Sequence, residues 1–122
     1  MQKCVFDYFV NEINIENNIK LHIRSVFMQG LLLTNDIGKY NLNNNLKKFH
    51  QKWMNFVKET KLSSKVICID FIKKINAEYV IIGIDKKRHL EEFITILNKN
   101  TNIAVPDFKS PLNVNDARYW VQ

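Results

Sequence analysis

The run Gly83-Ile84-Asp85-Lys86-Lys87-Arg88-His89 is where side-chain type and position most clearly suggest a ligand in this 122-residue chain. It joins the end of an apolar stretch, YVIIGI, to the start of an amphipathic one. A helix beginning there presents free N–H groups and a partial positive charge, which attract phosphate. Lys86, Lys87 and Arg88 in its first turn run against the usual preference for acids, and an anion would relieve that conflict. Simple solvation of the same side chains is the competing reading, and the residues alone leave both open. Other chemical signatures are missing: there is no G-x-S-x-G, Walker loop, H-E-x-x-H or C-x-x-C. His22, His50 and His89 share no metal-ligand spacing, and His22, alternating with Leu21 and Ile23, reads as structural. Cys4 and Cys68 lack ligand-like companions and cannot form a disulfide framework of the secreted kind; Cys68 reads as a small core residue. Glu91 and Glu92 read as solvated helix surface.

These residues need elements to hold them. Lys20 to Phe27 is rich in branched and aromatic residues, with Leu21 and Ile23 on one side, and is expected to be a strand. Gly30, Leu31-Leu32-Leu33, the turn-like TNDIGKY and a cluster of asparagines follow. Leu42, Leu46, Phe49, Trp53, Phe56 and Val57 recur at helical steps and mark one face of a helix. Ser63 or Ser64 is a suitable N-cap for a second helix, with Val66, Ile69, Ile72 and Ile75 inward. Tyr79 to Ile84 has the continuous apolar character of a strand buried on both faces of a parallel sheet. Asp85 is then expected to cap a helix whose inward face is Leu90, Phe93, Ile94 and Leu97. After about residue 104 a proline-containing tail follows, with Tyr119 and Trp120 as anchors. Strand, helix, helix, strand, helix predicts an α/β protein built from parallel β/α units.

Composition narrows the class. With 46% hydrophobic and 25% charged residues the chain has the make-up of one globular domain rather than a disordered one. No apolar run approaches the ~20 residues of a membrane span, and the opening MQKCVFDYFVNEIN lacks the pattern of a secretory signal. A reduced, cytoplasmic protein without membrane partners is expected. The net charge of +6 can indicate a polyanionic partner. Here the excess is nearly all lysine, accompanied by many Asn and Ile, a bias that raises pI without selecting a partner. Lys47-Lys48-Phe49 and Lys52-Trp53 could form a nucleic-acid surface, but the aromatics lie on the apolar stripe and the lysines opposite it. A small basic binding module for nucleic acid or an acidic partner is therefore the alternative, not the first reading.

The stretch IKLHIRSVFMQGLLL resembles the strand-and-loop segment of aldo/keto reductases, whose similar members carry a nearly identical H-I/V-R-S-V-F-L-Q-G-L-L-L run. KWMNFVKETKLSSKVICIDFI is similar to the family's late helices, YVIIGIDKKRHLEEF to its last strand and cofactor loop, and D-x-R-Y-W to its tail. The resemblance spans nearly the whole chain. It implies a partial, C-terminal half of a TIM-type (β/α)8 barrel over residues 1–122, and a cofactor NADP(H) used to reduce carbonyls. It places Ser25, Val26 and Phe27 by the cofactor pyrophosphate, and Arg24 where many members set an aromatic ring against the nicotinamide. Gln2 would match a glutamine near the nicotinamide. Gly83, Ile84 and Asp85 would approach the ribose and 2′-phosphate. His89 stands where many members have arginine and Phe93 where many have asparagine, so Lys86 or Lys87 would supply the charge and NADH stays open beside NADPH. Phosphate sites of such barrels follow strands seven and eight, at the carboxyl ends. The family's catalytic Asp, Tyr, Lys and His precede the region matched here, so no catalytic residue is assigned and the isolated chain is expected to be inactive. Its expected partner is a separately encoded N-terminal half or a second copy. At 122 residues the chain is about half the ~250 residues of such a barrel.

Overall fold

Leu21 and Ile23 alternate with His22, and that alternation produces a strand: β1 (His22–Ile23). It pairs in parallel with β2 (Tyr79–Val80), His22 opposite Tyr79 and Ile23 opposite Val80. This computed structural model describes residues 20–75 and 77–106. Parallel neighbours require a crossover. Here it consists of a 3-10 turn (Leu31–Leu33), α1 (Asn44–Thr60) and α2 (Ser64–Lys73), and β2 is followed by α3 (Lys87–Leu97).

Local chemistry sets the helix ends. Asn43 is the N-cap of α1, its Oδ1 accepting the Leu46 N–H at 2.9 Å, and Lys61 ends the helix at a left-handed φ of 56°. Ser63 caps α2, its Oγ accepting the Val66 N–H at 3.3 Å. The helical spacing in α1 buries Leu46 and Trp53, with Phe49, Phe56 and Val57 half-buried beside them. Leu31, Leu42 and Leu46 form one cluster; Leu32, Trp53, Ile67 and Cys68 form a second. Each fully buried Leu or Ile contributes about 1.5–3 kcal/mol. The Trp53 indole N–H donates to the Leu32 carbonyl at 2.9 Å, so the ring enters the core with its polar atom satisfied. His50, also buried, donates from Nε2 to the Thr34 carbonyl at 2.8 Å.

Asp70 is the buried carboxylate of α2. It accepts the Thr101 hydroxyl and the Ile103 N–H and pairs with Lys74, fastening the segment after α3 to the helix. Lys73 adds bonds to the Leu97 and Lys99 carbonyls.

Four expectations need correction. The first strand stops at Ile23 rather than Phe27, because Ser25 takes a left-handed φ of 59° and residues 26–30 form turns. The second ends at Val80 rather than Ile84, and it is not buried on both faces: its sole pairing among the described residues is with β1, and Tyr79 and Ile81 are 53% and 57% exposed. Asp85 does not cap α3; Lys86 occupies the N-cap without a side-chain bond, while the Asp85 carboxylate meets His89 Nδ1 at 2.7 Å. The covered face of α3 is Phe93 and Ile96 with His89, whereas Leu90, Ile94 and Leu97 are exposed. Gln2, Cys4, Tyr119 and Trp120 lie outside the described residues. Among the described residues no helix is long and apolar enough to cross a membrane.

Candidate functional site

Parallel strands release their chains at the same end, so the segments after β1 and β2 meet there. The first is folded tightly. Ser25, Met28, Gln29 and Gly30 all have positive φ, at 59°, 47°, 53° and 86°. For residues other than glycine that conformation costs about 1–2 kcal/mol each. Compensation comes from bonds of the Met28 N–H to the Ser25 carbonyl and of the Gly30 and Leu32 N–H groups to the Phe27 carbonyl. Tyr40 donates its hydroxyl to the Gln29 carbonyl, and a Cβ at Gly30 would come within 3.3 Å of that hydroxyl oxygen. The turn carries Val26 onto the Trp53 cluster.

Between the two segments lies a cavity of about 310 Å³. Phe27 and Leu33 line it from the first, Ile82, Gly83 and Ile84 from the second, Lys65 and Ile69 from α2, and His89, Glu92, Phe93 and Ile96 from α3. Its walls are mainly aliphatic and aromatic, with three polar side chains at intervals, a lining suited to a flat ring with a polar edge. Two of those side chains are joined: Lys65 Nζ lies 2.6 Å from Glu92 Oε2, and that hydrogen bond holds the Glu92 carboxyl below its ordinary value. The third, His89, bonds Asp85, and this bond likewise lowers the exposed Asp85 carboxyl. An ionised Asp85 only accepts, so the ring proton sits on Nδ1.

Of the residues implied by the family resemblance, Phe27, Gly83, Ile84 and His89 line the cavity, and so does Phe93. Arg24 and Ser25 are exposed and outside the lining, and Val26 faces the core cluster. Asp85, Lys86 and Lys87 are exposed at the start of α3, and Lys87 pairs with Glu91 at 3.6 Å. Lys65 and Glu92 went unnoticed in the sequence as site residues. They stand 27 positions apart, and no local pattern links them.

At about 310 Å³ the cavity is at the small end of the ~300–1,000 Å³ range of ligand pockets. It has room for one ring system and not for a whole dinucleotide. The start of α3 beside it carries no acid in its first turn.

A wider groove of about 580 Å³ runs along the polar side of α1, lined by Asn44, Lys47, Lys48, Gln51, Asn55 and Lys58 with Asn35, Ile37, His50 and Met54. Among the described residues no group of three or more His, Cys, Asp or Glu could hold a metal ion. No protein-family model, curated protein or solved structure matches the chain.

Proposed function

We propose that this chain is the cofactor-loop-bearing, C-terminal half of an aldo/keto reductase-like (β/α)8 barrel, acting in the cytoplasm, and that it binds the adenosine end of NADP(H). One observation carries the reading: Phe27, Gly83, Ile84 and His89 line a single cavity at the carboxyl ends of two adjacent parallel strands. The resemblance implies these four among its cofactor residues, while Arg24, Ser25, Val26, Asp85, Lys86 and Lys87 lie outside the lining. Phe93 and the isoleucines would face the adenine, and Lys65, Lys86 and Arg88 would supply positive charge for the phosphates. When bound, the cofactor would supply hydride; in this reading the chain holds the cofactor and contributes no acid or base to the carbonyl.

The test is titration of the purified chain with NADPH, followed by nicotinamide fluorescence. Saturable but weak binding is expected, reduced by Phe93→Ala and by Lys65→Ala and unchanged by Lys48→Ala on the remote groove. Binding that ignores the cavity variants, or none with folded protein at millimolar cofactor, overturns the reading. Oxidation of NADPH by the isolated chain with a panel of aldehydes would overturn the proposed lack of turnover.

The groove on α1 favours a second reading, a basic module for nucleic acid, since Lys47, Lys48 and Lys58 line it without an acidic neighbour in the lining. That reading requires binding to single-stranded nucleic acid that weakens steeply with salt. Absence of binding at low salt removes it.

A further inference from the structure

The lysines of α1 are unmatched. On α2 and α3, Lys65 meets Glu92, Lys74 meets Asp70 and Lys87 meets Glu91, while Lys73 bonds two carbonyls. On α1, Lys47, Lys48, Lys52 and Lys58 have no carboxylate partner among the described residues. Against these four the helix carries one acid, Glu59, a surplus of three that is half of the chain's net charge of +6. Lys47, Lys48 and Lys58 line the groove of about 580 Å³ between α1 and the loop of Asn35 and Ile37, and no carboxylate lines it. Asp36 stands between those two loop residues, but its Oδ1 accepts the Gly38 N–H at 2.9 Å.

Shape and lining select the ligand. A concave groove admits a single strand, whereas reading a duplex through its major groove requires an element that protrudes into it. Lys47 and Lys58 are roughly 16 Å apart along the helix axis, the reach of about five phosphates in a stacked strand. No aromatic ring lines the groove, so it offers bases no platform to stack on. Its lysines suit phosphates, and the amides of Asn44, Gln51 and Asn55 both donate and accept.

His50 adds a more selective group. It lines the groove while only 4% exposed, and its Nε2 is committed to the Thr34 carbonyl. The ring atom left for a ligand is Nδ1, which has no hydrogen-bond partner among the described residues and in the neutral ring is an acceptor. A phosphodiester backbone built on deoxyribose has no hydrogen-bond donor to give it. One built on ribose has the 2′-hydroxyl.

We propose that this groove binds the ribose–phosphate backbone of single-stranded RNA without reading its bases. The lysines face phosphates, and the amides and His50 Nδ1 meet 2′-hydroxyls. This rests on the basic-module reading and goes beyond it by naming the sugar and the mode of contact. It is independent of the cofactor reading, because the groove and the cavity share no lining residue.

Fluorescence anisotropy of short labelled oligonucleotides with the full chain tests this. Three phosphate contacts on a single strand predict a slope of log affinity against log salt of about −2, reduced to about −1.4 in Lys48→Ala and in Lys58→Ala. Oligocytidylate is expected to bind within about twofold of oligouridylate, since no base is stacked. Oligodeoxyuridylate and 2′-O-methyl oligouridylate lack the donor and are expected to bind roughly fivefold more weakly. Both lysines are exposed, so an unchanged circular dichroism spectrum is expected of each variant. No binding of any oligonucleotide at low salt overturns the basic-module reading and this proposal with it. Deoxy and 2′-O-methyl strands that bind as tightly as RNA overturn the proposal alone. So does a salt slope that neither lysine variant changes, which would put the strand elsewhere on the molecule.

Discussion

Asp70 offers the most direct test of how the described fold is fastened, through the substitution Asp70→Asn. The side chain is 4% exposed; Oδ1 accepts the Thr101 hydroxyl at 2.9 Å, and Oδ2 accepts the Ile103 N–H at 3.2 Å and meets Lys74 Nζ at 2.9 Å. Burial by itself would raise its pKa, but the bonds from Lys74, Ile103 and Thr101 outweigh it and hold the carboxyl below its ordinary value. Asparagine keeps the shape and one acceptor but sets an NH2 against the Ile103 N–H and the Lys74 ammonium. Hydrogen bonds to a charged group contribute about 1.5–3 kcal/mol, and the half-exposed Lys74 adds little more. The expected loss at pH 7 is about 2–3 kcal/mol, a fall in Tm of roughly 8–12 °C. Because folding lowers this pKa, the contribution is complete only above the unfolded value of about 3.9, and it disappears as pH falls through the lower folded value. Urea unfolding of both proteins at pH 7, 5, 4 and 3 should show a constant gap down to pH 5 and a closing gap below about pH 4. A gap at pH 7 of less than about 0.5 kcal/mol, or one undiminished at pH 3, would refute the reasoning.

Two further outcomes follow from the core. Burial pushes the Cys68 thiol up to about 12, so in a Cys4→Ser background a disulfide reagent at pH 8 should label the native chain at least about a hundredfold more slowly than the urea-unfolded one; equal rates would place the thiol at the surface. Trp53→Phe leaves the Leu32 carbonyl without its indole donor and should cost about 2–3 kcal/mol in urea unfolding; a loss under about 0.5 kcal/mol would show that water replaces the bond.

α1 was legible because Leu42, Leu46, Phe49, Trp53, Phe56 and Val57 report a one-sided burial that needs no knowledge of the partner. Ser63 was legible as a cap because capping is local. His50 was not: it is buried because the Thr34 carbonyl, 16 residues away, receives its proton, and spacing carries no trace of that. The α3 stripe shows the limit of periodicity in another way. Leu90, Phe93, Ile94 and Leu97 share a broad apolar face, but which part is covered depends on where α2 lies. At the site, Gly83, Ile84 and His89 were found from a basic helix start after an apolar run, and Phe27 from family resemblance. Lys65 and Glu92 emerge only once α2 and α3 are side by side.

Leu31 and Leu32 are consecutive, yet they enter different clusters, Leu31 with Leu42 and Leu46 and Leu32 with Trp53, Ile67 and Cys68. Met28 and Phe49 touch both. One short turn thus couples the two clusters, and an opening that frees either leucine removes a support from both. The first loop, α1 and α2 are thereby tied into one cooperative unit for amide exchange, released together near the global unfolding free energy. α3, with Ile96 as its one buried residue, lies outside that unit. Its amides should exchange through smaller openings, which makes the cavity's far wall its most readily parted side.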